Sequence, residues 1–139
     1  MNRIQQNNCA PSIIQVSNAS GTFNTTITYC DDFNADEFSY HPDGNPLIQG
    51  RESTTGRLID IDFGEKEVTV GVHNVNDISF LFYEVTIIDN LPVYNKNIEG
   101  TVTITAVTSS NISGSVNVKC QPTYGRHQST INGEFDINI

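Results

Sequence analysis

Tryptophan is absent from this chain, methionine occurs once, and only seven residues are basic. The lack of tryptophan removes the aromatic platform that sugar-cleaving clefts usually present. Sixteen acidic residues leave a formal net charge of −9. A protein this acidic is repelled by phosphate backbones, so the composition argues against nucleic-acid binding through a basic groove.

Long apolar stretches are also missing. No run of about 18 apolar residues occurs, so we predict no transmembrane segment. Residues 1–9 contain no apolar core of the kind that signal peptides have, so we expect no signal peptide in the chain. The abundance of Asn, Thr and Ser and the scarcity of Lys favour an extracytoplasmic protein in mature form, in the periplasm, the cell envelope or the medium. A cytoplasmic location is the alternative.

The three cysteines, Cys9, Cys30 and Cys120, form no C-x-x-C pair. The zinc-ribbon and redox-motif classes are therefore not indicated. At most one intramolecular disulfide can form, and its three possible pairings stay open.

Apolar residues alternate with polar ones along most of the chain, which is the period of an extended strand. Four such segments open with a glycine: Gly21, Gly100, Gly114 and Gly133. We predict an all-β fold with eight to ten antiparallel strands, either a sandwich or a barrel. Residues 1–11 are predicted to be a flexible arm, and residues 12–139 a single domain.

The last third of the chain has the most regular alternation. Three strands joined by short connections are predicted to form a meander. The closing strand places Phe135, Ile137 and Ile139 on one face, opposite Glu134 and Asp136. Because the chain stops within this apolar pattern, we expect its end to lie in a sheet.

Two predictions concern the middle of the chain. Gly64 and Glu65 follow a strand ending at Phe63, and the valines of residues 68–72 alternate beyond them, which predicts a hairpin. Residues 78–88 are apolar on both faces, which is typical of a central strand or of one that lines a cavity. The most irregular stretch is residues 31–57, with residues 50–56 predicted as a polar loop.

Residues 99–105 (EGTVTIT), 111–118 (NISGSVNV) and 131–137 (INGEFDI) share a strand pattern of glycine, alternating apolar residues and hydroxyl residues. This C-terminal third resembles the ending of a group of small Bacteroidota lipoprotein-type domains. The resemblance implies an all-β envelope or secreted protein and supplies no catalytic residue. The signal and lipid-attachment segment of that group is not seen in this sequence.

Carboxylates suggest one possible metal site. Asp31, Asp32, Asp36 and Glu37 place four hard oxygen ligands within seven residues, which makes them a better candidate for Ca²⁺ than the pair Asp60 and Asp62. The D-x-D-x-D-G spacing of a dedicated calcium loop is absent. We therefore predict no obligatory cofactor and keep Ca²⁺ as a hypothesis for these four residues.

Catalytic motifs are scarce. His41, His73 and His127 lie far apart in sequence, and no G-x-S-x-G elbow occurs. Asp60 and Asp62 project on the same side of a predicted strand, as a glycosidase or calcium pair would, but we interpret them as the solvated face of a hairpin. We predict that the protein is not an enzyme.

Three functional hypotheses remain. The first is an extracytoplasmic binding or structural module whose loops or sheet edge engage a protein or glycan. The second is a carrier that holds a small apolar ligand in a barrel cavity lined by Phe80, Phe82 and Tyr29. The third is an acidic inhibitor or immunity-type protein that acts on a basic partner in the cytoplasm.

Overall fold

The computed structural model describes residues 19–28, 30–42, 44–83, 93–94, 96–121 and 128–139. These residues form eleven strands and no helix, which confirms the all-β fold class. The strands are β1 (Ser20–Ile27), β2 (Phe33–Asn34), β3 (Glu37–His41), β4 (Leu47–Arg51), β5 (Leu58–Asp62), β6 (Gly71–Asn74), β7 (Ser79–Tyr83), β8 (Val93–Tyr94), β9 (Lys96–Val107), β10 (Asn111–Gln121) and β11 (Ser129–Asn138). The predicted arm, residues 1–11, lies outside the described residues.

The strands form two antiparallel sheets. One sheet has six strands in the order β2-β1-β11-β10-β9-β6, and the other has five in the order β3-β4-β5-β7-β8. The inner faces of both sheets contribute to one hydrophobic core. The fold is therefore a sandwich, the first of the two predicted architectures, and not a closed barrel. None of the described residues belongs to a helix with the length and apolar character needed to cross a membrane.

The predicted C-terminal meander is confirmed. Strands β9, β10 and β11 pair in succession, and β1 pairs with the other edge of β11. Phe135 and Ile137 are 2% and 0% exposed, so the closing strand buries the predicted face. The alternation ends one residue early, because Ile139 is 49% exposed.

The four glycines that were expected to open strands lie inside them. They are distributed regularly over the inner face of the six-stranded sheet. On the inner face, residues of β1, β11, β10 and β9 form four cross-strand rows, and each row holds one glycine on a different strand. The rows are Gly21, Ile137, Ile112 and Val107; Phe23, Phe135, Gly114 and Ile104; Thr25, Gly133, Val116 and Val102; and Ile27, Ile131, Val118 and Gly100.

These glycines are required by the close approach of the strands. A Cβ atom at Gly21, Gly100, Gly114 or Gly133 would overlap a carbonyl oxygen of a neighbouring strand. Glycine within a strand commonly marks a bend or a close backbone contact. We infer that these positions let the six-stranded sheet curve around its core.

Phe23 joins the two sheets. Its ring lies 5.3 Å from that of Phe135 and 5.9 Å from that of Phe33, measured between centroids. From the opposite sheet, a Cβ at Gly50 would lie only 2.7 Å from Cδ2 of Phe23. The absence of a side chain at Gly50 thus makes room for the largest residue of β1.

The hairpin predicted after Phe63 is wrong. Strand β5 pairs with β4 and β7, whereas β6 pairs with β9 in the other sheet. The chain turns at Gly64, which has a φ of 63°, and crosses between the sheets. Val70 and Val72, which were predicted to lie on the returning strand of that hairpin, are 62% and 69% exposed.

Residues 31–57 are more ordered than their sequence predicts. They contain β2, β3 and β4. Gly50 and Arg51, which were assigned to a polar loop, are the last two residues of β4. The strand expected over residues 78–88 is seen as β7, and its residues 84–88 lie outside the described residues.

Candidate functional site

The outer face of the six-stranded sheet, which we call the open face, is covered by polar side chains. They are the outward members of the same alternation that buries Phe23, Val116 and Phe135. Its centre carries hydroxyl, amide and carboxylate groups from three neighbouring strands, namely Thr22, Asn24, Thr26, Ser113, Ser115, Asn117, Asn132, Glu134 and Asp136.

A shallow depression crosses the open face in two continuous parts. The larger part has a volume of about 880 Å³ and extends from β1 across β11 and β10 to Thr105 of β9. The smaller part, of about 470 Å³, extends to Asp32 and Asn34 beside β1. Asn132 and Glu134 line both parts, so the carboxylate of Glu134 lies near the middle of the depression.

Glu134 is flanked by Asn24 on one side and Ser115 on the other, as cross-strand neighbours. Within the described part of the chain its carboxylate makes no hydrogen bond or ion pair. Asp136, two residues along the same face, accepts a hydrogen bond of 2.8 Å from Nδ2 of Asn111. The centre of the depression therefore holds a carboxylate that is available to a ligand.

Positive charge is scarce on this face. Among its side chains that the structure describes, the only cation is Lys119, whose Nζ lies 3.4 Å from Oε1 of Glu99. Asp32, Glu134 and Asp136 have no cationic partner in the described residues. The open face therefore has a negative potential at its centre.

A buried hydroxyl lies at the wall of the smaller part. Thr25 lines this part and is 4% exposed, and its Oγ1 has no hydrogen-bond partner. A buried hydroxyl without a partner is costly and calls for an explanation, of which an ordered water is the commonest.

The carboxylates predicted to bind calcium have separate protein partners. Oδ1 of Asp36 accepts a hydrogen bond of 2.8 Å from the Ser53 N–H, and Oδ2 accepts one of 2.5 Å from the Ser53 hydroxyl. These bonds lower the pKa of Asp36. Glu37, the next residue, forms an ion pair with Arg51 across the β3–β4 pair.

Asp31 and Asp32 contribute backbone oxygens instead. Their carbonyl groups accept hydrogen bonds of 2.9 and 2.6 Å from the guanidinium of Arg57. Among the residues described here, no group of three or more His, Cys, Asp or Glu side chains could hold a metal ion. The calcium hypothesis stays a prediction, and of the four carboxylates those of Asp36 and Glu37 have protein partners.

A buried ion pair that the sequence does not signal organises this region. Arg57 and Glu52 are 5% and 8% exposed. Nε of Arg57 lies 2.8 Å from Oε1 of Glu52, and Nη2 lies 3.0 Å from Oε2. The Asn34 N–H donates to Oε2 and the Thr55 hydroxyl to Oε1, at 2.8 and 2.6 Å.

This ion pair links the two sheets at one end of the sandwich. Glu52 and Arg57 belong to the turn between β4 and β5, whereas Asn34 and the carbonyl of Asp32 belong to the segment around β2. Burial alone raises the pKa of Glu52, but the hydrogen bonds from Arg57, Thr55 and Asn34 outweigh it and leave the pKa lowered. The pair thereby holds the β2 rim of the depression in place.

On the outer face of the five-stranded sheet, polar side chains pair with one another. Oγ of Ser39 lies 2.7 Å from Nε2 of His41, and Nε2 of Gln49 donates to Oδ1 of Asp60 at 2.7 Å. Burial raises the pKa of Asp60 despite the Gln49 hydrogen bond, and the charge of Asp62 adds to the shift. Ser39 is 3% exposed, so this serine–histidine contact is enclosed.

The residues proposed to line a ligand cavity are placed as core residues. Phe80 and Phe82 are 1% and 0% exposed and belong to the core between the sheets. Tyr29 lies outside the described residues. Core packing explains both phenylalanines, and the carrier function stays a prediction without support from their contacts.

Two cysteines pack against the same core. Cys120 is fully buried, and burial raises the pKa of its thiol to about 12, with a further contribution from Cys30. Cys30 is partly buried against the core cluster. Cys9 lies outside the described residues, so the choice among the three pairings stays open.

The open face thus offers hydrogen-bonding groups and negative charge across several strands. Its described side chains include no histidine, cysteine or aromatic residue. No protein-family model, curated protein or solved structure matches the chain.

Proposed function

We propose that the protein is a non-enzymatic binding module that holds a macromolecular partner on the open face. The observation that carries this proposal is the depression centred on Glu134, whose carboxylate is exposed and has no hydrogen bond or ion pair in the described part of the chain. Groups that served only the stability of the sheet would gain by pairing across strands, as Gln49 and Asp60 do on the other sheet.

The shape of the face also supports a large partner. The depression is shallow and extends over β1, β11, β10 and β9, which is typical of a docking surface and not of an enclosed small-molecule site. The sandwich supplies a rigid base, because residues on the opposite side of the same strands are fully buried. We place the module outside the cytoplasm, on the strength of its composition.

The proposal can be tested by mapping ligand contacts on isotope-labelled protein. Defined peptides and oligosaccharides are titrated, and the backbone amide shifts are followed by nuclear magnetic resonance. We expect shifts concentrated at Asn24, Ser115 and Glu134 for at least one class of ligand. Ser115→Ala, alone and combined with Asn24→Ala, should weaken that binding, whereas Ser79→Ala, on the exposed outer side of β7, should not.

Shifts confined to residues 31–57, or equal losses in the open-face and Ser79 variants, contradict the proposal. The two serine substitutions are matched in size, and both remove an outward hydroxyl from a strand. A difference between them therefore reports the location of the site and not a general effect on the fold.

A further inference from the structure

We propose that the partner bound by the open face is a basic polypeptide segment whose Lys or Arg side chains pair with Glu134 and its neighbouring carboxylates. This inference rests on the proposed function and adds the chemical class of the partner. On this proposal, the negative charge of the open face selects the partner.

The first argument is that three carboxylates of the open face have no cationic partner among the described residues, although Asp136 accepts a hydrogen bond from Asn111. Glu134 and Asp136 project from the same face of β11, roughly 7 Å apart by strand rise. Asp32 lines the far end of the smaller part of the depression. Carboxylates at three positions of the depression suit basic side chains spaced along an extended peptide, since each charge-assisted hydrogen bond is stronger than a neutral one.

The second argument is the lack of a competing cation. Lys119, the one cation among the described side chains of this face, is already beside Glu99. Arg51 and Arg57 are held by Glu37 and Glu52 on the other half of the molecule. A basic partner thus meets carboxylates that no described side chain neutralises, in a protein whose formal net charge is −9.

The third argument is what the depression lacks. None of its lining residues offers an exposed apolar or aromatic side chain, the groups that anchor most protein interfaces. Val72, which is 69% exposed, lies at the β6 margin of the sheet and does not line the depression. The recognition energy must then come from charge and hydrogen bonds, which favours a basic partner over an apolar one.

The surroundings of Glu134 suit such a partner. Asn24 and Ser115 flank the carboxylate and can accept the remaining N–H groups of a guanidinium or ammonium. Asn132 lines both parts of the depression and can pair with the peptide backbone. The contacts of Arg57 with the Asp32 carbonyl and of Glu52 with the Asn34 N–H fix the rim at which the segment would end.

The test uses a ten-residue oligoarginine peptide as the probe, with a glycine–serine peptide and a neutral oligosaccharide for comparison. The double variant Glu134→Gln and Asp136→Asn removes two charges from the open face without changing side-chain size. Its control is Glu65→Gln with Glu67→Gln, which removes two exposed charges from the chain between β5 and β6. Amide shifts and affinities are measured at low and at high salt.

We expect the open-face double variant to lose roughly tenfold in affinity for the basic peptide and the control to lose less than about twofold. Binding should weaken between about 0.05 and 0.3 M salt, because exposed charges are screened over that range. Equal losses in both double variants would mean attraction by net charge alone and would overturn the inference.

The remaining outcomes separate this inference from the proposed function. Salt-independent binding of the oligosaccharide at the open face, with no binding of the basic peptide, identifies a glycan partner. That result overturns the inference and leaves the proposed function standing. If no probe shifts the amides of the open face, both the inference and the proposed function are contradicted.

Discussion

The two outer faces of the sandwich are built by the same strand alternation but use their polar residues differently. On the five-stranded half, Gln49 donates to Asp60 and Arg51 pairs with Glu37. On the six-stranded half, Glu134 has no partner among the described residues. Other residues of the open face are paired, as Asp136 is with Asn111 and Lys119 with Glu99, but the central carboxylate of Glu134 is left for an external partner.

This difference separates stability from recognition within one small domain. A side chain that is already hydrogen-bonded gains little from a ligand and loses its partner when it moves. An unpaired, exposed side chain has no intramolecular partner to lose and can gain a hydrogen bond from the ligand. Substitutions on the five-stranded half should therefore change the free energy of unfolding, and those on the open face should change binding alone.

The largest contrast is expected within β11 itself. Phe135→Ala should lower the free energy of unfolding by about 3–5 kcal/mol, because it opens a cavity between the sheets. Glu134→Ala, one residue away on the open face, should change it by no more than about 0.5 kcal/mol. Urea unfolding of both variants measures the difference. Two small and equal effects would show that β11 is frayed.

Arg57→Met tests the buried ion pair. It leaves the Glu52 carboxylate buried without its counter-ion, which typically costs about 3 kcal/mol or more. Arg51→Met is the matched control, because Arg51 and Glu37 are each 42% exposed as side chains. An exposed pair of this kind contributes below about 1 kcal/mol. Equal losses in the two variants would contradict the structural role of the buried pair.

Acid should weaken the same contact. The pKa of Glu52 is lower in the folded protein than its ordinary value of 4.5, so the stabilisation is complete above that value and is lost as the pH falls through the folded pKa. Urea midpoints measured from pH 7 down to about pH 2 should fall on the acid side. Glu52→Gln should flatten that decline, whereas Glu37→Gln should leave its slope unchanged.

The smallest expected effect is a gain. The pKa of Asp60 is raised by burial and by Asp62, so its ionised form costs stability above the folded pKa. The cost disappears as the pH falls to the unfolded value. Asp60→Asn keeps an acceptor for Gln49 and should stabilise the protein at pH 7 by below about 1 kcal/mol. A loss at pH 7 would show that the charge is needed.

Strand alternation was sufficient to predict most of the six-stranded sheet. In β10, for example, Ile112, Val116 and Val118 are buried, as their alternation with Ser113, Ser115 and Asn117 predicts. Alternation did not predict the strand pairing of residues 68–72. It indicates which side chains share one face of a strand, but not which strand lies beside it. The sequence of that segment does not indicate that β6 pairs with β9 in the other sheet.

Sequence proximity was a poor guide to the candidate sites. Asp36 and Glu37 are adjacent in sequence, yet one bonds to Ser53 and the other to Arg51. Glu134 and Asp136 were correctly placed on the outward side of β11. The depression around them depends on four strands meeting, which no single segment encodes. In the sequence, Glu52 and Arg57 look like solvated loop residues. They are buried because the β2 segment packs against them.

The glycine in each inner row has a consequence for how the sequence can change. A side chain at Gly21, Gly100, Gly114 or Gly133 would overlap the neighbouring backbone, so we expect these four positions to tolerate no residue other than glycine. The outward positions between them, such as Thr22, Asn24 and Ser115, do not belong to the buried core and are open to change. The sheet is therefore a scaffold on which new specificities can evolve, or be selected from a library, while its curvature is inherited unchanged.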